Sequence, residues 1–220
     1  MSRLCVVPAK PLVKAKARLG PVFTPGERRS IVLAMLADVV SAARACGDVW
    51  VICSDADVEE TARRFGALSV RDATPEAGLN ASLTAATEAA TEAGYDGALV
   101  LASDLPCVKP ADVAALLGAG SVAIAPSRDG GTNGLWRMPP AVIGTAFGAG
   151  SRTAHEKLSA DAGITPVIVE RTGLALDVDI PADLVAALDE GAGPGTVAIM
   201  NSAGFASRAV AAEGYRSPRR

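Results

Sequence analysis

The chain has 220 residues, half of them apolar, and its 21 Lys and Arg against 24 Asp and Glu leave a net charge of −3. That length suits one domain with a substantial core, and so small a net charge offers no general affinity for nucleic acid or an anionic membrane. The longest apolar runs are far shorter than a membrane span, the start MSRLCVVPAK has no signal-peptide pattern, and Cys5, Cys46, Cys53 and Cys107 form no C-x-x-C pair, so a cytoplasmic protein with reduced core cysteines is expected.

Along the chain, strand and helix alternate. RLCVVPA and VWVIC are short β-branched runs, and between them TPGERRSIVLAMLADVVSAARACG has apolar residues at helical spacing. Thr24 and Glu27 form a capping box, Pro25 takes the first helical position, and Gly47 is expected to end the segment as a C-terminal cap. The spacing then predicts a strand over 49–53, a helix over 56–65, a strand over 67–70, a helix over 80–93, a strand over 98–102 and a helix over 110–117. After SVAIAP come a Gly-rich loop, a strand GLWRM, two helical stretches, a strand over 166–169 and a closing helix from Pro181. Strands apolar on both faces and separated by helices imply an α/β fold with a mostly parallel sheet covered by helices on both faces. One domain over 1–190 is expected. The Gly-, Ala- and Ser-rich residues 191–220 lack sustained periodicity and read as a tail or loosely attached extension.

In an open α/β sheet, ligands bind beyond the carboxyl ends of the strands. Asp177 and Asp179 are two apart in an extended segment and so point the same way, while Asp104 follows an apolar strand. Three carboxylates converging on one cleft need a cation, and an oxygen-only set without histidine suits Mg²⁺. Singly, Asp104 and Asp179 also fit plain helix capping before Pro106 and Pro181. The basic segment VPAKPLVKAKARL offers Lys10, Lys14, Lys16 and Arg18 as a clamp for a polyphosphate. Lys14 fits a solvated loop as well, whereas Lys16 and Arg18 share one side of an extended chain. No G-x-x-x-x-G-K-S/T is present and no G-x-G-x-x-G follows the first strand, which removes a P-loop and a Rossmann dinucleotide fingerprint.

Taken in order, VPAKPLVKAKARL, GLNASL, LASDLP, GGTNGL, FGAGSRTAH and LALDVDIPADL resemble the guanylyltransferases that activate phosphoenolpyruvate or 2-phospho-L-lactate in making coenzyme F(420). The six motifs run from residue 7 to about 184. The resemblance implies a Rossmann-like nucleotidyltransferase fold, GTP and Mg²⁺ as requirements, and Asp104, Asp177 and Asp179 as metal ligands. It also implies that Thr132, Gly148 and Ser151 contact a phosphorylated three-carbon acid and that Asn80 lies near the nucleotide. It covers none of residues 191–220.

The residues themselves fit these expectations. Gly130 and Gly131 can turn backbone N–H groups toward an anion, with the Thr132 hydroxyl as a further donor. Ser151 stands where a helix N-cap belongs, and Asn80 is also a good cap. His155, one turn after Ser151, reads first as a packing residue and second as a donor to the same anion, with Arg128 and Arg152 as further helpers. Lys10, Lys16, Arg18 and Asn80 are assigned to the nucleotide, with Lys16 and Arg18 also absorbing charge on the transferring phosphoryl group. The pattern leaves the acid open among phosphoenolpyruvate, 2-phospho-L-lactate and 3-phosphoglycerate. The competing readings are a nucleotidyltransferase acting on a sugar phosphate or molybdopterin, and a catalytically silent nucleotide-binding protein.

Overall fold

A computed structural model describes residues 1–12, 16–72 and 75–214; the expectation for Lys14 lies outside them. The first half repeats strand and helix: β1 (Arg3–Pro8), α1 (Pro25–Arg44), β2 (Asp48–Cys53), α2 (Ala56–Arg64), β3 (Leu68–Arg71), α3 (Leu79–Glu92), β4 (Gly97–Leu101) and α4 (Pro110–Leu117). The second half adds β5 (Val122–Pro126), β6 (Thr132–Arg137), α5 (Ser151–Asp161), β7 (Val167–Ile168), α6 (Thr172–Ala175), α7 (Pro181–Asp189), α8 (Pro194–Asn201) and α9 (Phe205–Gly214). The seven strands form one sheet in the order β3-β2-β1-β4-β6-β5-β7. Its pairs are parallel except where β6 runs antiparallel to both β4 and β5.

Strand β1 shows why the sheet is covered twice. Leu4 and Val6 enter a core with Leu83, Ala86 and Ala90 of α3, while Cys5 and Val7 enter the core on the opposite face with Leu36, Val39 and Val40 of α1. Period-two alternation that is apolar on both sides leaves no face for water, as a mostly parallel sheet requires. The chain moves outward from β1 to β2 and β3, then returns to place β4 on the other flank of β1. The carboxyl ends of β1 and β4 therefore form a topological switch point, where loops leave in opposite directions and a crevice opens.

Helix α1 starts as the sequence indicates: Thr24 N–H donates to Glu27 Oε2 at 2.8 Å and Glu27 N–H donates to Thr24 Oγ1 at 3.3 Å. Gly47, however, is not its cap. The helix ends at Arg44, and Gly47 is small because a Cβ there would lie 2.7 Å from the carbonyl oxygen of Arg3. Between β6 and β7 one helix forms, α5, instead of two; residues 139–150 are turns. The four cysteines are free thiols, and among the described residues no helix is long and apolar enough to cross a membrane.

The largest departure is at the C-terminus. Residues 194–201 and 205–214 form α8 and α9, and Met200, Phe205 and Ala209 are buried in a third core with Ile31 and Met35 of α1 and Leu184 and Ala187 of α7. The apolar periodicity is weak here because α8 is docked in part by a polar device. Asp38, buried on α1, accepts from Gly195 N–H and Thr196 N–H, each at 2.8 Å, at the first turn of α8. Gly193 and Gly195 permit that approach: a Cβ on Gly193 would sit 2.4 Å from the Asp38 carboxyl carbon. Asp38→Ala would leave one buried and one partly buried N–H group without an acceptor, so it is expected to cost about 1 to 3 kcal/mol, read as a fall in the urea midpoint. A loss below about 0.5 kcal/mol would show those amides finding other acceptors.

Candidate active site

A cleft of about 530 Å³ opens at the switch point. Lys10, Lys16 and Arg18 line it after β1, and Asp104 does so after β4. Asp177 and Asp179 come from the segment before α7, and Thr132, Gly148 and Ser151 close the far side. Of the residues expected at the site, Asn80, Arg128, Gly130, Arg152 and His155 are absent from the lining.

The acidic wall is built by alternation. Leu176 and Val178 are buried in the third core, which turns Asp177 and Asp179 out toward the cleft although this segment joins no sheet. Val178 N–H donates to the carbonyl of Asp104 at 3.1 Å and so fixes the two acidic segments to each other. One oxygen from each of Asp104, Asp177 and Asp179 lies within 4.8 Å of the others. Neither Asp104 nor Asp179 is a helix cap. At α7 it is Asp183 that accepts from Ile180 N–H at 2.8 Å and Asp179 N–H at 2.7 Å, which leaves the Asp179 carboxylate for the cleft.

Electrostatics make this cluster costly without a cation. Burial raises the Asp177 carboxyl above its ordinary range; a hydrogen bond from Asn133 Nδ2 at 3.1 Å opposes that shift, and the charges of Asp104 and Asp179 add to it. Lys16 supplies a positive charge, its ammonium bonded to Asp104 and, at 2.9 Å, to Asp179 Oδ1. Burial alone would lower the Lys16 pKa, but the Asp104 charge and the hydrogen bonds to both carboxylates outweigh it and leave the ammonium above its ordinary value. Lys16 also has φ 51° and ψ 47°, the one non-glycine residue in the left-handed region among those described. That conformation costs a lysine about 1 kcal/mol and turns the chain so that the side chain faces the acids. Arg18 is three-quarters exposed, with Nη1 3.5 Å from Asp179 Oδ2. Hard oxygen donors with no histidine or cysteine among them fit Mg²⁺ or a similar divalent cation.

The far side carries one carboxylate, Asp129, bonded by the Ser127 hydroxyl and the Gly131 amide, and otherwise offers neutral groups. The Gly130 and Gly131 amides are already used, on Ser127 O at 3.3 Å and Asp129 Oδ1 at 3.1 Å, so they are not the anion donors expected there. Their role is to fold a tight turn: Gly130 has φ 86°, and a Cβ on Gly131 would meet Ser127 Oγ at 2.6 Å. That turn delivers the buried Thr132 to the start of β6. Ser151 is the first residue of α5 and not its cap, which is Gly150 at φ 68°. Its N–H donates to Gly148 O at 3.1 Å, and its buried hydroxyl has no partner among the described residues. Gly148 has φ 135°, where a side chain would be strained, and open space where a Cβ would stand. The N-terminus of α5 borders the cleft at these residues, presenting the positive end of its dipole.

The fold gives three residues roles that the sequence did not. Asn133 donates to both Leu174 O at 2.9 Å and Asp177 Oδ1, holding one cleft-facing carboxylate in place. Asn80 is the second residue of α3, not its cap, and spends its amide on the loop: Nδ2 donates to Phe147 O at 3.0 Å and Oδ1 accepts from Phe147 N–H at 2.8 Å. His155 is fully buried, Nδ1 lying 3.0 Å from Thr132 Oγ1 and Nε2 accepting from Ala146 N–H at 2.9 Å. Their signals were faint: Asn133 stands beside Thr132 in GGTN, whereas nothing local links Asn80 or His155 to residue 147 or 132. Arg152 pairs with Glu156 at 3.0 Å and Arg128 with Glu190 at 3.8 Å, and neither lines the cleft.

Comparison with known proteins agrees with this geometry. Residues 3–216 match the family described as Guanylyl transferase CofC like. A phosphoenolpyruvate guanylyltransferase of Rubrobacter xylanophilus is 40% identical over 191 residues, covering 84% of this chain and 92% of that protein. A 2-phospho-L-lactate guanylyltransferase of Methanothermobacter thermautotrophicus is 34% identical over 188 residues, covering 84% and 83%. Among solved structures, a candidate nucleotide-diphospho-sugar transferase from Desulfovibrio desulfuricans superposes with a TM-score of 0.67 over 97% of this chain and 96% of that one at 20% identity, which speaks to the Rossmann-like fold alone. With a family match that spans nearly the whole chain and a relative at 40% identity, this protein belongs to the CofC-like guanylyltransferases and is an enzyme of the nucleotidyltransferase type.

Proposed function

We propose that the enzyme transfers GMP from GTP to the phosphate of phosphoenolpyruvate or 2-phospho-L-lactate, releasing pyrophosphate, as a step toward coenzyme F(420). The observation that carries this reading is the division of one cleft into two kinds of wall: cations and three converging carboxylates on one side, and on the other the Thr132 and Ser151 hydroxyls beside a helix N-terminus, where the one carboxylate, Asp129, is taken up by Ser127 and Gly131. A protein that only bound a nucleotide would have no use for the second wall. Free thiols throughout suit a cytoplasmic enzyme.

The roles follow from charge. Lys16, Arg18 and Lys10 bind the triphosphate, Lys16 and Arg18 nearest the transferring group. Mg²⁺ held by Asp104, Asp177 and Asp179 would supply Lewis-acid neutralisation of the phosphoryl oxygens. Thr132, Ser151 and the Gly148 turn hold the acid. Because a phosphate monoester is largely dianionic near neutral pH, it needs no general base to attack the α-phosphorus. What the protein contributes is alignment of two anions that would otherwise repel, with the pyrophosphate leaving toward the basic wall. Asn133 and Asn80 hold the acidic wall and the 147 loop in register for that alignment.

The direct test supplies purified protein with GTP, Mg²⁺ and each of phosphoenolpyruvate, 2-phospho-L-lactate and 3-phosphoglycerate in turn, reading pyrophosphate release; no release with any of them rejects the proposal. A second test divides the two walls. Thr132→Ala and Ser151→Ala are each expected to raise the acid's KM about 5- to 30-fold, the equivalent of about 1 to 2 kcal/mol for a hydrogen bond to a charged group, with the KM for GTP nearly unchanged. If GTP binding falls and the acid's does not, these loops serve the nucleotide, and a sugar-phosphate or molybdopterin substrate becomes the better reading.

A further inference from the structure

His155 is the one histidine of the chain, and both its ring nitrogens are engaged out of reach of solvent. The bond from Ala146 decides its tautomer. A backbone N–H can only donate, so Nε2, which receives it at 2.9 Å, is the bare nitrogen and the ring proton sits on Nδ1. Nδ1–H then points at Thr132 Oγ1, 3.0 Å away, and the Thr132 oxygen is the acceptor in that pair. The hydroxyl hydrogen of Thr132 cannot return to the imidazole. Thr132 lines the cleft and its hydroxyl has no other partner among the described residues, so that hydrogen is left for a ligand.

The surroundings keep the imidazole from changing roles. The Phe147 ring packs edge-on against it, centroids 4.8 Å apart, and Asn80 pins Phe147 by both its N–H and its carbonyl. Burial, with the nearby Arg137 cation adding to it, lowers the His155 pKa to about 4, so the neutral ring persists across the working range. One side chain thus ties the start of β6, which carries Thr132, to the 146–148 loop, which carries Gly148.

We propose that His155 is a positioning residue for the acid pocket: anchored by the Ala146 amide, it makes the Thr132 hydroxyl an obligate donor into the cleft, selecting for a ligand that presents a carboxylate or phosphate oxygen at that point. This rests on the assignment of Thr132 to the acid.

The first test needs no substitution. With a single histidine, the imidazole ¹⁵N resonances of the uniformly labelled protein are unambiguous, and they are expected to report a protonated Nδ1 and a bare Nε2 at neutral pH. The opposite tautomer, or an imidazolium, overturns the proposal. The second test uses His155→Gln, whose side-chain carbonyl can reach the Nε2 position and keep the Ala146 anchor while the donor to Thr132 is lost. It is expected to raise the acid's KM about fivefold or more, with kcat and the KM for GTP within about twofold of wild type, and to add less than about twofold in a Thr132→Ala background. Multiplicative effects of the two substitutions, or an unchanged acid KM in the single variant, overturn the proposal. If His155→Gln does not fold, the resonance test decides the proposal by itself. Should Thr132→Ala itself leave the acid's KM unchanged, the assignment of the pocket fails; a large effect of Thr132→Ala with no coupling to residue 155 removes only the positioning role.

Discussion

Asp177→Asn is expected to slow guanylyl transfer by about two to four orders of magnitude, the loss of several kcal/mol of charge stabilisation, without lowering the melting temperature of the enzyme measured in chelator. The two halves of that expectation come from the same geometry. Asp177 is the carboxylate that burial and its two acidic neighbours raise above the ordinary range, so its ionisation opposes folding when no cation is bound. Asparagine keeps the shape and can still accept from Asn133 through its amide oxygen, while removing one of three converging negative charges. The apo protein should therefore melt at the same temperature or slightly higher. Its stabilisation by added Mg²⁺, read as the shift in melting temperature over a titration, should shrink, because a ligand that binds only the folded state at free concentration c stabilises by RT ln(1 + c/Kd), which falls as Kd rises. The sign of the pH effect follows. A carboxylate with a raised pKa in the folded state binds a proton more readily than in the unfolded chain, so in chelator it reduces stability as pH rises through its titration, and Asp177→Asn should flatten that part of the profile. Turnover equal to wild type would remove Asp177 from the metal site; a lower melting temperature in chelator would show the charge to be structurally needed.

Much of the architecture was open to sequence reading because it rests on local signals. The Thr24–Glu27 box and Pro25 mark the start of α1 within a single turn of chain, β1 and β2 announce themselves as β-branched runs, and β4 as an apolar one. The alternation Leu176, Asp177, Val178, Asp179 carried the orientation of two carboxylates although no sheet enforces it. What stayed hidden depends on residues far apart in sequence. The docking of α8 is decided by Asp38, 157 positions before its hydrogen-bond partner Gly195, so residues 191–214 looked like a tail. The caps expected at Asn80, Ser151 and Gly47 lie one or two residues from the observed ones, since glycines at 78 and 150 end the preceding turns and Gly47 answers a steric demand from Arg3. Gly130 and Gly131 showed correctly that the chain turns sharply but not which acceptors the turn uses; Ser127 and Asp129, just upstream, take both amides.

Lys16→Ala is expected to lower kcat/KM for GTP by about 100-fold while changing the acid's KM by less than about threefold, and to destabilise the enzyme in chelator, a defect that added Mg²⁺ should largely repair. Lys16 is the cation that the acidic wall already holds, bonded to Asp104 and Asp179, and burial makes a carboxylate pair with no counter-charge costly. Alanine is chosen because it shares lysine's penalty at φ 51°, so the backbone term is the same in both proteins; glycine would relieve it and mask part of the loss. The ammonium lies above its ordinary pKa, so its contribution is fully present below the unfolded value and is lost only as pH rises through the folded one. The gap between wild type and Lys16→Ala in chelator should therefore hold constant from pH 6 to 9. Arg18, three-quarters exposed and 3.5 Å from Asp179, has no such structural share, and Arg18→Ala should weaken GTP without touching the melt. The contrast distinguishes two meanings of a basic segment beside an acidic cluster. If Lys16 served only to neutralise the carboxylates, saturating Mg²⁺ would restore both stability and GTP use in Lys16→Ala. If it belongs to the triphosphate, stability returns and the GTP defect remains. Equal losses for GTP and the acid that persist in Mg²⁺ would point instead to a distorted cleft and remove Lys16 from the assignment.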